Sequence, residues 1–119
     1  MNLVLIAGLL AALLGIVHSL LGEKLIFSHW RKSPPDIPRR HYNILWTTWH
    51  IVSCLGFGIA GVLVWSSAHN DLIASFKPAL ISLIAGLWLS SLLVLYATRG
   101  KHPGWIVLAI IGVLITLSI

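Results

Sequence analysis

Four long runs without a charged side chain dominate the chain: Asn2 to Gly22, Tyr42 to Ala68, Pro78 to Thr98, and Pro103 to Ile119. A helix needs about 20 apolar residues to cross a bilayer, with a range of roughly 17–25. The first three runs meet that length and the fourth sits near its lower limit. Of the 119 residues, 58% are hydrophobic and 9% are charged, and the mean hydropathy is +0.96. So few polar side chains cannot cover the surface of a water-soluble domain of this size. The expectation is an all-α, polytopic membrane protein. It consists of one integral domain, residues 1–119, built as a four-transmembrane-helix bundle with a short interfacial segment after helix one.

A cleavable signal is the competing reading of the first run. Only Met1 and Asn2 precede the apolar stretch, so a basic n-region is missing. No small-x-small site follows in His18-Ser19-Leu20-Leu21-Gly22-Glu23. The run is therefore read as a retained helix. The single cysteine, Cys54, lies inside helix two and excludes an internal disulfide framework.

The net charge of +5 comes from the connections. Lys24, Arg31, Lys32, Arg39 and Arg40 lie in the first, Lys77 in the second, and Arg99 and Lys101 in the third. Connections one and three share a side of a four-helix protein, and that side holds seven of the eight Lys and Arg residues. The positive-inside rule places it in the cytoplasm, with both termini on the extracytoplasmic side of a multi-pass protein of the cell inner (plasma) membrane. The basic charge then needs no nucleic acid. Membrane lipids with anionic headgroups are the expected partners, alongside a homo-oligomer or a larger membrane complex.

Small residues at three- and four-residue spacing share a helix face and allow close approach in lipid. Gly8, Ala12, Gly15, Ser19 and Gly22 form such a stripe on helix one. Thr47, His50, Cys54, Gly58 and Gly61 form one on helix two, and Ser82, Gly86 and Ser90 one on helix three. Trp46 and Trp49 are expected near one surface and Trp65 near the other. Trp88, far from either belt, fills core volume or walls a pocket. Asn70-Asp71 reads as a helix cap, and Pro78 and Pro103 as first-turn residues. Ser33-Pro34-Pro35-Asp36-Ile37-Pro38 makes a stiff linker.

His18 and His50 are the first candidates for function, because ionisable groups inside a span are costly. His18 lies roughly 6 Å in from Gly22 and His50 roughly 12 Å in from Tyr42, at 1.5 Å per residue. Both depths belong to the same, cytoplasmic half. Two such rings on neighbouring helices suit a haem or divalent-metal site. HxxxH, CxxC and paired-carboxylate patterns are absent. The plainer reading is that each ring bonds a backbone carbonyl, Ser19, Ser53 or a neighbouring helix. Glu23 marks the mouth of the expected pocket. Arg39, Arg40, Arg99, Lys101 and His102 are candidates for binding an anion or headgroup.

No catalytic residue is assigned, and an enzyme is not expected. Ser19 adjoins His18, but adjacent helical residues diverge, and no acid is placed to orient that imidazole. In size and helix count the chain resembles small four-helix drug/proton exporters. Those depend on a carboxylate embedded in the first helix, and here Glu23 lies only at its end. The function expected is a small integral membrane binding or accessory protein with a histidine-lined pocket open to the cytoplasm. A haem- or metal-ligating redox protein using His18 and His50 is the alternative, and a small transporter the next.

Overall fold

The computed structural model describes residues 2–69 and 73–119. All its regular structure is helical. Helix α1 spans Leu3–Leu21 and widens into a π-helical turn, Gly22–Phe27, that runs straight into α2, Ser28–Lys32. Helix α3 spans Arg39–Ala68, α4 Ile73–Thr98 and α5 Gly104–Thr116. Three helical segments, Leu3–Lys32, Arg39–Ala68 and Ile73–Thr98, are long and apolar enough to cross a membrane.

Several expected boundaries move. Helix α3 starts at Arg39, directly after Pro38, because Pro38 occupies the N-cap and α3 takes in Arg39, Arg40 and His41. Helix α4 begins at Ile73, so Pro78 lies inside it rather than in its first turn. The expected cap at Asn70-Asp71 lies outside the described residues. The fourth apolar run makes a helix of only 13 residues. At 1.5 Å per residue that is about 20 Å, short of a hydrocarbon core of about 30 Å. The segment after α1 is a continuation of that helix through the π-turn, not a separate piece.

Packing runs in the order α3–α1–α5–α4, and among the described residues α3 and α4 make no extended contact with each other. The ring expected of a four-helix bundle is thus open. The radius of gyration is 16.2 Å, against about 13.5 Å for a compact chain of this length. The accessible surface of 7933 Å² likewise exceeds the roughly 6,300 Å² of a globular protein of 13.0 kDa. The excess is apolar: Leu89, Leu93 and Tyr96 are among the large side chains left on the surface.

Helix α1 is the central element because it is slim on two faces. Gly8, Gly15 and Gly22 stand seven residues apart and receive Val64, Phe57 and Trp49 of antiparallel α3. A Cβ on Gly8 would lie 2.9 Å from Val64 Cγ2, and one on Gly15 2.9 Å from a Phe57 ring carbon. One on Gly22 would overlap the Trp49 indole nitrogen. A seven-residue small-residue repeat keeps this seam in register along both helices. Val4, Ala7 and Ala11 form the adjoining face and share the core with Ile111 and Ile115 of α5. At the far end Asn2 caps α1 through Leu5 N–H (3.1 Å) and donates to the Ser67 carbonyl at the end of α3 (2.8 Å).

The stripe expected on α3 is divided. His50 turns toward α1, while Thr47, Cys54, Gly58 and Gly61 are exposed. The seam uses Ser53, Ala60, Leu63 and Ser67 instead. Bulk explains the choice: the glycines of α1 are the holes, so α3 must present large side chains beside them, and its own glycines are turned away. On α4, Ser82, Gly86 and Ser90 are also exposed. Helix α4 meets α5 through Trp88, which lies against Gly112, and through Ser91 Oγ, which donates to the Trp105 carbonyl at 2.8 Å.

Candidate functional site

The polar groups of this apolar molecule gather where α1, the π-turn, α2 and the first half of α3 meet. The π-turn adds a residue to the helical path and so rotates everything after it. Phe27 thereby enters the seam, 1% exposed, edge-on to Trp49, Tyr42 and Trp30 at 5.9, 6.2 and 5.8 Å between ring centres. Glu23 is brought round to face α3.

His50 is the hub. Its Nδ1 lies 2.9 Å from Ser19 Oγ on α1, and its Nε2 lies 3.6 Å from Glu23 Oε2. Glu23 is held in turn by Arg31 of α2 and by the indole N–H of Trp46, which donates to Oε2 at 3.1 Å. As a carboxylate beside a guanidinium, Glu23 offers acceptors only. A His50 tautomer with its proton on Nε2 faces Glu23 and lets Nδ1 accept from the Ser19 hydroxyl, although at 3.6 Å the Nε2 contact is longer than a hydrogen bond and Nε2 has no other partner. Trp46 packs against the His50 ring with centres 4.7 Å apart.

His18 plays a different part. Its ring stacks on Trp49 at 4.3 Å and 5°, and the Trp49 indole N–H donates to the His18 carbonyl at 3.0 Å. The fit explains Gly22: the indole occupies the space that a side chain there would fill.

Several hydroxyl groups bond back to the backbone three or four residues earlier, as is usual in and near helices. Ser28, Ser67, Ser82, Thr98, Thr116 and Ser118 do so. Ser19 instead faces His50. Ser53, only 3% exposed and one turn beyond His50, has no partner for its hydroxyl.

Sequence reasoning flagged His18, His50 and Glu23, and the structure brings all three to one end of the α1–α3 seam. Ser19, one of the partners expected for the histidine rings, bonds His50, whereas Arg31, Trp46 and the aromatic packing around them were not anticipated. A cue to the cluster was present in Ser19 and Glu23, four apart and so on one face of a helix. Their pairing with His50 required the helix register. The missing acid for an imidazole is supplied, but to His50 rather than to His18.

Arg39 and Arg40 begin α3, and Arg99 and Lys101 follow α4, the two helices at the ends of the packing order. The first connection packs on α3 through Trp30 and Tyr42. Arg40 lines an open depression with Asn43, Ile44, Thr47 and Thr48. Arg99 lines another with Leu95, Tyr96, Ala97 and Gly100. His18 and His50 line neither. His102 Nδ1 accepts from the Gly104 N–H at 3.0 Å, so this side chain caps α5 itself.

For metal or haem the geometry offers little. Among the described residues no three His, Cys, Asp or Glu side chains group as ligands. One face of His18 is covered by Trp49, and both nitrogens of His50 face protein groups.

The chain matches no family model, no curated protein and no solved structure.

Proposed function

We propose that the chain is a small integral membrane protein that binds the polar group of a membrane amphiphile at the Ser19–His50–Glu23 cluster. The observation that supports this is the cluster itself: Ser19 of α1, Glu23 of the π-turn, Arg31 of α2 and Trp46 and His50 of α3 come together in an otherwise apolar molecule. Polar groups inside a membrane domain are expensive and mark sites. The surrounding Trp and Tyr rings suit the headgroup level. In this reading α1, α3, α4 and the C-terminal segment that carries α5 all cross the inner membrane, and Lys77, near the start of α4, donates to the Ile119 carbonyl at 2.9 Å, on the side to which the chain returns. The cluster lies on the cytoplasmic side, where seven of the eight Lys and Arg residues stand, and both termini are extracytoplasmic.

Native mass spectrometry of the full chain with a long-chain monoacylglycerol tests the binding. Wild type should retain the amphiphile, and His50→Phe should lose it while keeping its helical circular dichroism. Equal retention by both removes the reading. A reporter active only in the cytoplasm, fused after Ile119, should stay silent, and strong activity contradicts the orientation.

The Arg40 depression supports a second, separate reading as an anionic headgroup site, since its lining of Arg40, Asn43, Thr47 and Thr48 offers a cation with hydrogen-bond donors beside it. Arg40→Ala should lower phosphatidylglycerol retention without affecting monoacylglycerol.

A further inference from the structure

The geometry points to Ser19 as a nucleophile, activated by His50 and oriented through Glu23, that cleaves a carboxylic ester of a membrane amphiphile. This rests on the binding reading above and adds chemistry to it. Three observations carry it. First, a serine hydroxyl, an imidazole and a carboxylate stand in order, with Ser19 Oγ 2.9 Å from Nδ1 and the carboxylate 3.6 Å from Nε2, a buried ring nitrogen that has no hydrogen-bond partner and so is free to close on it. That is the order nucleophile, base, orienting acid required for acyl transfer, and it is recognised by roles rather than by chain order. The looser second step is usual in a site without substrate.

Second, the acid is held. Arg31 binds Glu23 Oε1, and the Trp46 indole N–H donates to Oε2, the oxygen that faces His50, so turning the carboxylate away from the imidazole breaks both contacts. Third, an uncommitted donor is at hand. The Gly8–Val64 and Gly15–Phe57 pairings set an antiparallel register in which Ser53 falls opposite Ser19. The Ser53 hydroxyl is buried and has no partner. A buried donor without a partner is costly, and one aimed at a reacting centre can stabilise an oxyanion.

The steps balance with water alone. Ser19 Oγ attacks the ester carbonyl as His50 Nδ1 takes its proton, with charge collecting on the carbonyl oxygen. The C–O bond to the alcohol breaks, and His50 returns the proton to the leaving oxygen, giving acyl-Ser19 and a free alcohol. Water, deprotonated by His50, attacks the acyl carbon. The carboxylic acid leaves and Ser19 regains its hydrogen. Glu23 touches no substrate and is a positioning residue.

The test is covalent labelling of the purified full chain in micelles by an alkyl fluorophosphonate, read by intact mass. One adduct on Ser19 is expected, absent from heat-unfolded protein and from Ser19→Ala. His50→Gln should slow labelling by about 10²-fold or more, the range of general-base catalysis. Glu23→Gln should slow it about tenfold or more, with Glu23→Asp recovering part of the rate, and Ser91→Ala should label as wild type does. No adduct in folded wild type overturns the inference, as does labelling unchanged in His50→Gln. Unlabelled wild type that still retains monoacylglycerol through His50 removes the ester chemistry and leaves the binding site. Loss of both removes both.

Discussion

The α1–α3 seam and the α4–α5 hairpin are both antiparallel helix pairs, yet they are built to different ends. The seam is tight and polar at one end: three glycines of α1 take in Val64, Phe57 and Trp49, and the last of these holds His18 beside the Ser19–His50–Glu23 line. The hairpin has one glycine in the same role, Gly112, and there the Trp88 ring leaves ordinary contact space. Its polar groups join α4 to α5 through Ser91 and close the turn. Arg99 N–H donates to the Tyr96 carbonyl and Gly100 N–H to the Leu95 carbonyl, the bonds of a Schellman motif. Close packing by itself therefore does not mark function. What separates the two pairs is that the seam spends its close approach on aligning groups that can exchange a proton.

The largest break in this comparison should come from Gly22→Ala. Its methyl group would overlap the Trp49 indole, so the ring and the His18 stack must move. Overpacking of this kind costs about 1–3 kcal/mol. Thermal unfolding in detergent should show the loss, and any labelling of Ser19 should fall with it.

A smaller effect of opposite sign is expected at Arg99. It sits at φ 52, in the left-handed region, where a side chain is strained and glycine is not. Arg99→Gly should raise stability by roughly 0.5–1 kcal/mol, on the scale of glycine's conformational advantage. The same unfolding assay reads it. A loss instead would mean that the Arg99 side chain has a role the turn geometry does not reveal.

The smallest change should follow Gly112→Ala. The new Cβ would meet Trp88 Nε1 at 3.4 Å, ordinary contact, and the shift should stay within about 0.5 kcal/mol of wild type, as for substitutions that create no clash. If Gly112→Ala destabilised as much as Gly22→Ala, the contrast between seam and hairpin would fail.

Much of this was legible in the residues. The apolar runs located the helices to within a few positions, since burying a backbone in an apolar medium demands helical hydrogen bonding. His18, His50 and Glu23 stood out as ionisable groups at the ends of those runs. The choice of seam on α3 was not legible. Cys54, Gly58 and Gly61 make a small-residue stripe as good by spacing as the one on α1, and the two could equally have met. The structure turns that stripe outward because holes on one helix need knobs on the other, and complementarity belongs to the pair.

By itself, then, the sequence determined that this chain is helical, apolar and polarised in charge, with histidines near one end of its first two long segments. These follow from local properties: hydropathy over a window, the missing backbone donor of proline, the count of Lys and Arg on each connection. Tertiary structure alone decided that His50 meets Ser19 and Glu23 while His18 stacks on Trp49, and that Arg40 and Arg99 line different depressions. A change of one residue in the α1 path, the π-turn at Gly22–Phe27, is enough to rotate Phe27 into the seam. Such a rotation is set by the fit of Trp49 over Gly22, a contact between residues 27 positions apart that no local pattern records.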